Sequence, residues 1–245
     1  MTHYLVEHYK KIGGLKKDFR NWNLFCLVAP LVKGESVADV GCGAAFFSGI
    51  LKASGKKVIG FEPSEEMRLL ARQMNPSVNI LPGRAEEIDS LLPEPVDSVV
   101  MIDVLEHIKE DFEQIKKVRA VLNNGGEFVF VVPAHPFLYG KRDEQMGHYR
   151  RYSKKSVEKI LIANGFSIQR LRYWNAIGVF PYFIFEKILH KPLQLGLREN
   201  SQDGFFSRLI REVLQLWLSL IEKNFDFGFG LSIVGVAKKY NYAKN

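Results

Sequence analysis

The sequence predicts an α/β fold with a parallel sheet, and two observations carry the prediction. From Ser36 onward short apolar runs alternate with helix-length segments, the rhythm of strands joined by crossover helices. The first run ends in a glycine loop and the second in an acid, Glu62, a pairing met at the carboxyl edge of open α/β sheets.

The elements follow in order. "SVADVGCG" is a buried strand running into the glycine loop, and Ala44 to Ala53 is the helix after it. "KVIGFEPS" is a second strand, and "SEEMRLLARQM" a helix with Ser64 as its N-cap and acids in its first turn. "VNILPG" is a short third strand and "VDSVVMIDVLEHI" a fourth. "EDFEQIKKVRAVL" is a helix closed by Asn123, Asn124 and Gly125, and "GEFVFVVPA" a fifth strand. "KKSVEKILIANG" is a helix stopped at Gly165, "FSIQRLRYWN" a sixth strand, and "GLSIVGVAKKY" one more near the end. Ahead of them all, "DFRNWNLFCLVAPLV" forms an amphipathic helix.

The stretch from Ala176 to Phe229 departs from this rhythm, being aromatic and helical in pattern. In Phe205 to Lys223 the polar residues Arg208, Arg211, Glu212, Gln215, Ser219 and Lys223 fall on one stripe, so most of the circumference is apolar. Burial in the core is the first expectation for such a helix; packing on a partner or on lipid are the others.

With 245 residues, 47% hydrophobic and 25% charged, the chain has the composition of a globular protein rather than a disordered one. A net charge of +7 suits acidic partners (nucleic acid, an anionic membrane surface, a phosphorylated substrate) or serves solubility alone. Two cysteines, Cys26 and Cys42, signal no disulfide framework, so a cytoplasmic location is expected. "MTHYLVEHYKK" lacks the apolar centre of a signal peptide. No uncharged stretch reaches the roughly 18 residues that span a bilayer. Ala176 to Phe185 comes nearest and runs into Glu186 and Lys187.

The chemistry is written first in "VADVGCGAAFF". A strand brings Asp39 to its carboxyl end, and Gly41 and Gly43 permit a tight turn and close approach of backbone to a ligand. Glu62, at the end of the next strand, can accept hydrogen bonds from both hydroxyls of a ribose; the alternative is a plain helix-capping acid. A dinucleotide loop would read G-x-G-x-x-G and seat a pyrophosphate. Here Asp39 stands two residues before the first glycine, which would repel a pyrophosphate and suits a cationic cofactor.

"VADVGCGAAFF", "GFEPSEEMRLLAR", "GRAEEI" and "MIDVLEHI", in unbroken order within about residues 35 to 175, resemble the successive motifs of class I S-adenosylmethionine-dependent methyltransferases. The resemblance implies a Rossmann-like, seven-stranded, mostly parallel sheet in the order 3-2-1-4-5-7-6, flanked by helices. It implies one domain, in which 1–34 supply lid helices, 35–175 the cofactor core, 176–229 a helical insertion and 230–239 the last strand. It implies S-adenosyl-L-methionine as cofactor and S-adenosyl-L-homocysteine as product. Asp39, Gly41, Cys42 and Gly43 would lie by the methionine end, and Glu62 would hold the ribose. Pro63 and Met67 would stand near the adenine, bordered by Ala85 and Glu86; Arg84 takes a place where many relatives carry an acid. Asp103, Val104 and Leu105 would line the methyl-transfer cavity. Glu106 and His107 belong to a subgroup pattern, acting in the site or tying the loop to the next helix. Tyr4, Tyr9 and Trp22 are candidate contacts from the N-terminal segment.

Methyl transfer asks for positioning and desolvation, with a base when the acceptor is a hydroxyl. His107, His135 and His148, near the carboxyl ends of the strands, are the candidate bases. The segment "HPFLYGKRDEQMGHYRRYS" resembles a subgroup linked to methylation in glycan or lipid-type pathways. Tyr139, Arg150, Arg151 and Tyr152 are its candidate acceptor contacts, the arginines gripping phosphate or carboxylate. The other reading has Asp143 and Glu144 pair with those arginines and pin the loop. His135, Asp143 and His148 match no compact metal motif, and no metal is expected. The insertion roofs a large apolar acceptor, forms a homodimer face, or rests peripherally on a membrane through its aromatics and Lys187, Lys191, Arg208 and Arg211.

The expected function is O-methylation of a small-molecule, glycan or lipid-type acceptor. One alternative is a nucleic-acid methyltransferase. Against it, the fourth strand ends in "DVLEH" rather than an Asn/Asp-Pro-Pro-aromatic element, and no RNA-binding module is attached. Another is a noncatalytic, membrane-associated cofactor-binding protein.

Overall fold

A computed structural model describes residues 6–7, 9–10, 15, 18–190 and 205–240. Its strands are β1 (Ser36–Val40), β2 (Lys57–Phe61), β3 (Asn79–Leu81), β4 (Val96–Ile102), β5 (Leu122–Pro133), β6 (Phe166–Trp174) and β7 (Ser232–Lys239). They form one sheet in the order β3-β2-β1-β4-β5-β7-β6, the order the resemblance implied. Neighbours among β1 to β5 are parallel, and β7 runs antiparallel between β5 and β6. The helices are α1 (Phe19–Val28), α2 (Phe46–Ala53), α3 (Glu65–Met74), α4 (Ile88–Leu91), α5 (Asp111–Val121), α6 (Lys141–Met146), α7 (Lys154–Ala163), α8 (Val179–Phe183) and α9 (Phe205–Leu216).

The central strands are apolar on both faces because helices cover both. Val99, Met101, Phe128 and Phe130 point to one side and pack with Ile115 and Val118 of α5 and Leu161 of α7. Their neighbours Val100, Val129 and Val131 point to the other, against Leu24 and Leu27 of α1 and Phe47 and Leu51 of α2. This two-residue alternation sets the registers that bring the carboxyl ends of β1, β2, β4 and β5 to one edge. Val40 pairs with Phe61 and Met101, and Ile102 with Val131.

Local signals end the helices as the sequence predicts, with one exception. Ser64 Oγ accepts the Met67 N–H at 3.2 Å, and Gly165 takes φ +75° just after α7. Asn123–Gly125 do not close α5, however; β5 begins directly at Leu122, which pairs with Val96. The cause is Asp97, whose carboxylate accepts from Asn123 Nδ2 (2.8 Å) and from the backbone N–H of Glu35 (2.9 Å) and Ser36 (3.0 Å). These bonds tie the amino ends of β1, β4 and β5 together and hold the Asp97 carboxyl down at about 2.

The insertion differs more. α8 continues into a π-helical turn, Ile184–Ile188, and α9 into another, Trp217–Glu222. Burial of α9 is not what the fold achieves: Leu209, Val213, Leu216 and Leu220 are 47–62% exposed. Among the described residues here, Leu214, Trp217 and Leu218 reach the core beside α1. At the stem, Glu222 accepts the N–H of Asn175 (2.5 Å) and Ala176 (3.0 Å). Arg172 in turn donates to the carbonyls of Glu222 (2.5 Å), Lys223 (3.0 Å) and Phe225 (2.7 Å). Among the described residues no helix is long and apolar enough to cross a membrane. Tyr4 and Lys191 lie outside the described residues.

Candidate active site

At the ends of β1 and β2 the site is made chiefly of backbone. The Gly41 and Cys42 N–H groups both donate to the Phe61 carbonyl (2.8 and 3.0 Å), which folds the loop tightly over β2. Gly41 has φ +70°, and a Cβ there would sit 2.5 Å from Val104 Cγ2, so this position needs glycine twice over. Gly43, at φ +54°, is the opposite case, since a Cβ would meet nothing within 4 Å. It borders open space.

Glu62 closes that space. Its Oε2 accepts the Gly43 N–H at 3.1 Å and its Oε1 the Ser64 N–H at 2.9 Å. Each carboxylate oxygen has two acceptor directions, so one remains on each for two further donors. Burial raises the Glu62 pKa, partly opposed by those two backbone bonds. A buried, oriented carboxylate beside a concave glycine loop fits the vicinal hydroxyls of a ribose. Asp39 sits lower, with only 2% of its surface exposed. Its carboxylate accepts from Ser48 Oγ at 2.5 Å, and burial lifts its pKa to about 6.

The ends of β4 and β5 carry strain and charge instead. Asp103 and His135 take φ +53° and +62°, conformations a non-glycine residue holds only when its surroundings enforce them. Asp103 pairs with Arg20 of α1 at 3.1 Å, drawing that helix over the carboxyl edge. The 135–153 loop adds a parallel bridge between Ala134 and Tyr152, and the Tyr149 N–H donates to the Glu106 carbonyl at 2.8 Å. The loop thereby sets His148 against β4's mouth. His148 Nδ1 lies 2.8 Å from Asp143 Oδ1, its Nε2 3.9 Å from Glu106 Oε1, and its ring 4.7 Å from that of His107.

Several expected contacts turn out to be internal supports. Arg151 is buried and donates to Asp143 Oδ2 (2.8 Å), the Ala134 carbonyl (3.2 Å) and Tyr182 Oη (2.5 Å), so its fork grips the fold rather than an acceptor. Arg150 pairs with Asp111 at 2.8 Å and donates to the Lys109 carbonyl at 2.6 Å. Tyr152 is 3% exposed and donates to Asp111 at 2.9 Å. Tyr139 donates to the His148 carbonyl at 2.8 Å and receives Lys187 Nζ at its own. These bonds share one cause: a charged loop over a sheet edge must satisfy its own charges before it can serve a ligand.

Leu105 points into the core, 2% exposed, rather than into a cavity. Glu106 ties its loop through its backbone carbonyl alone, while its side chain, 1% exposed, leaves Oε2 without a partner. His135 stacks on Tyr173 at 5.0 Å, apart from the His107–His148 pair. Cys42 turns down onto Gly60, and burial raises its pKa. Pro63 is exposed at the mouth, and Met67 is buried with Val6 and Ala44, with Tyr9 packed alongside. The Ala85 carbonyl accepts from Gln114 (2.7 Å), the Glu86 carbonyl from Lys117 (2.5 Å), and the Glu86 side chain faces solvent. Arg20 is the partner no spacing announces, lying 83 residues from Asp103 in sequence; the Asp143–Arg151 pair is the alternative the sequence offered.

The fold has counterparts among known proteins. Residues 38–130 match a methyltransferase domain family. A Mycolicibacterium smegmatis protein named "Probable S-adenosylmethionine-dependent methyltransferase" is 27% identical over 150 residues, covering 60% of this chain and 56% of that one. Over residues 38–130 the chain is thus similar to S-adenosylmethionine-dependent methyltransferases. A tRNA U34 carboxymethyltransferase of Shewanella baltica is 34% identical over 110 residues, covering 42% of this chain and 32% of its own. The matched stretches thus span about half or less of these relatives. The methyltransferase fold is shared along the whole chain with an Archaeoglobus fulgidus S-adenosylmethionine-dependent methyltransferase (TM-score 0.61, 21% identity, 96% and 99% covered). It is shared too with magnesium protoporphyrin IX methyltransferase of Synechocystis, solved with bound S-adenosylhomocysteine (TM-score 0.57, 17% identity, 96% and 93% covered).

Proposed function

We propose that this chain transfers a methyl group from S-adenosylmethionine to an oxygen of a small-molecule, glycan or lipid-type acceptor. The observation that carries the reading is Glu62, fixed by two backbone donors beside the open side of Gly43. Glu62 holds the ribose hydroxyls, Pro63 and Met67 flank the adenine with Ala85 and Glu86 at its border, and the Gly41–Gly43 backbone receives the methionine end. Asp39 acts from beneath, bracing the loop through Ser48 and adding negative potential. When bound, the cofactor supplies a methyl on a cationic sulfur that leaves as a neutral thioether.

The rest of the work is positioning and exclusion of water. α1, drawn in by the Arg20–Asp103 pair, acts as the lid. α8 and its π-helical turn rest on the acceptor loop: Tyr182 Oη donates to Asp143 at 3.0 Å, and the Arg142 N–H to Glu186 at 3.4 Å. They form the roof of an apolar acceptor site. An oxygen acceptor must lose a proton, and Glu106, His107 and His148 are the groups at β4's mouth able to manage it. Burial and the neighbouring His148 lower the His107 pKa, which keeps that ring neutral at pH 7.

Calorimetry with S-adenosylhomocysteine tests the cofactor half, and no heat would overturn it. Transfer of labelled methyl into fractionated cell extract tests the acceptor half. Label in small-molecule, glycan or lipid fractions supports the reading. The +7 charge and the tRNA-modifying relative favour RNA as the second reading, and label in RNA would install it.

A further inference from the structure

We propose that Glu106, His107 and His148 form a binding site for one divalent transition-metal ion, which holds the acceptor oxygen. A ligand atom from each lies within 4.8 Å of the other two. Donors around one ion at about 2.1 Å stand roughly 3–4 Å apart, so closure needs side-chain shifts of about 1 Å.

A second observation is independent of that spacing. Glu106 Oε2 and His148 Nε2 are buried with no hydrogen-bond partner, in side chains only 1% and 7% exposed. Leaving a buried carboxylate oxygen and an imidazole nitrogen unsatisfied is costly. A cation between them relieves both.

The surroundings complete the set. Asp143 fixes His148 through Nδ1 at 2.8 Å, which turns Nε2 toward Glu106, and Arg151 and Tyr182 in turn fix Asp143. Such a carboxylate behind a ligating histidine orients the ring and raises its basicity. His107 is anchored by a hydrogen bond to the Gly147 backbone, leaving its other nitrogen for the ion. The nearby arginines have carboxylates of their own, Arg151 with Asp143 and Arg20 with Asp103, and only partly offset the Glu106 carboxylate. Two neutral imidazoles and one carboxylate suit Zn²⁺, Mn²⁺, Fe²⁺ or Co²⁺ and leave coordination positions open.

The ligand for an open position is an acceptor hydroxyl, a role that rests on the methyltransferase reading. Bound to the ion, the hydroxyl releases its proton to solvent more readily. The freed oxygen pair then forms the bond to the methyl carbon as the carbon–sulfur pair returns to sulfur. Sequence spacing alone hid this set, because the ligands come from two segments that meet only when the 135–153 loop folds back.

Titration of the full-length protein with Co²⁺, without cofactor and read by visible absorbance, tests the site. One equivalent should bind, be displaced by Zn²⁺, and bind at least 100-fold more weakly to Glu106→Gln and to His148→Gln. Thermal unfolding of each variant checks that the fold is retained; the near-isosteric Glu106→Gln keeps the test valid if His148→Gln fails to fold. Absence of stoichiometric Co²⁺ binding, or equal binding by wild type and a folded Glu106→Gln, overturns the proposal. S-adenosylhomocysteine calorimetry on the same samples separates the two readings. S-adenosylhomocysteine binding without Co²⁺ binding keeps the methyltransferase and removes the metal site; Co²⁺ binding without it leaves the metal site standing alone.

Discussion

At the mouth of β1 and β2 the chain builds its site from backbone and one oriented carboxylate. At the mouth of β4 and β5 it builds from side chains that mostly bind one another. Gly41, Gly43 and Glu62 stand within a short span, and the strand–loop–helix geometry places them. Asp143, His148 and Arg151 must be assembled on Glu106 and Tyr182, which come from three separate parts of the chain. The first end can be altered at one residue and lose mainly affinity. The second is a linked network, and altering it should cost the fold before it costs a ligand.

The sharpest way to break that contrast is Arg151→Ala. It leaves Asp143 buried without its cation and should lower stability by about 3–5 kcal/mol, read as a shift in the urea midpoint. A loss under about 1 kcal/mol would show that the network does not carry the loop. Glu62→Ala tests the other end: S-adenosylhomocysteine affinity should fall by about 2 kcal/mol or more, roughly 30-fold, with a smaller change in unfolding than Arg151→Ala. Equal affinity in the variant would remove Glu62 from the ribose.

The smallest expected effect is in pH, where the two ends pull in opposite directions. Burial alone would raise Asp143, but the hydrogen bonds and charges of His148 and Arg151 outweigh it and bring the carboxyl down to about 2. Against an unfolded value near 3.9, its contribution is present above about pH 4 and lost as pH falls toward 2, on the order of 2 kcal/mol. Asp39, raised to about 6 chiefly by burial, has the opposite sign, favouring the fold below about pH 4 and losing that contribution as pH rises through 6. Urea unfolding across pH 2–7 should therefore have a shallower acid slope in Asp143→Asn, Asp97 keeping its own share, and a reduced slope between pH 4 and 6 in Asp39→Asn. Unchanged slopes would overturn both assignments.

Legibility followed the same divide. The glycine loop and the Ser64 cap were readable because each depends on residues a few positions apart, and Glu62 because one strand–loop–helix–strand unit brings it to Gly43. The strand rhythm was readable because burial on two faces demands continuous apolar runs. Arg150, Arg151 and Tyr152 looked like acceptor contacts because spacing cannot say whether an arginine already has a carboxylate. Here Asp111 and Asp143 supply one to each. Closure of α5 at Asn123–Gly125 failed similarly, since Asp97 reaches across from β4 and holds Asn123 in the strand. The exposed face of α9 escaped because a helix's apolar circumference tells how much surface needs covering, not whether anything in the same chain covers it.

The clamp at the base of the insertion has a consequence for inheritance. Glu222 gathers the amides that open the excursion after β6, and Arg172 gathers the carbonyls that close it before β7. Entry and exit are thus latched to each other, independently of what lies between. A segment held this way behaves as a cassette: it can lengthen, shorten or be exchanged while the sheet beneath keeps its register. The glycine loop and Glu62 could pass unchanged from one such chain to the next, while the excursion between β6 and β7 was free to be rewritten.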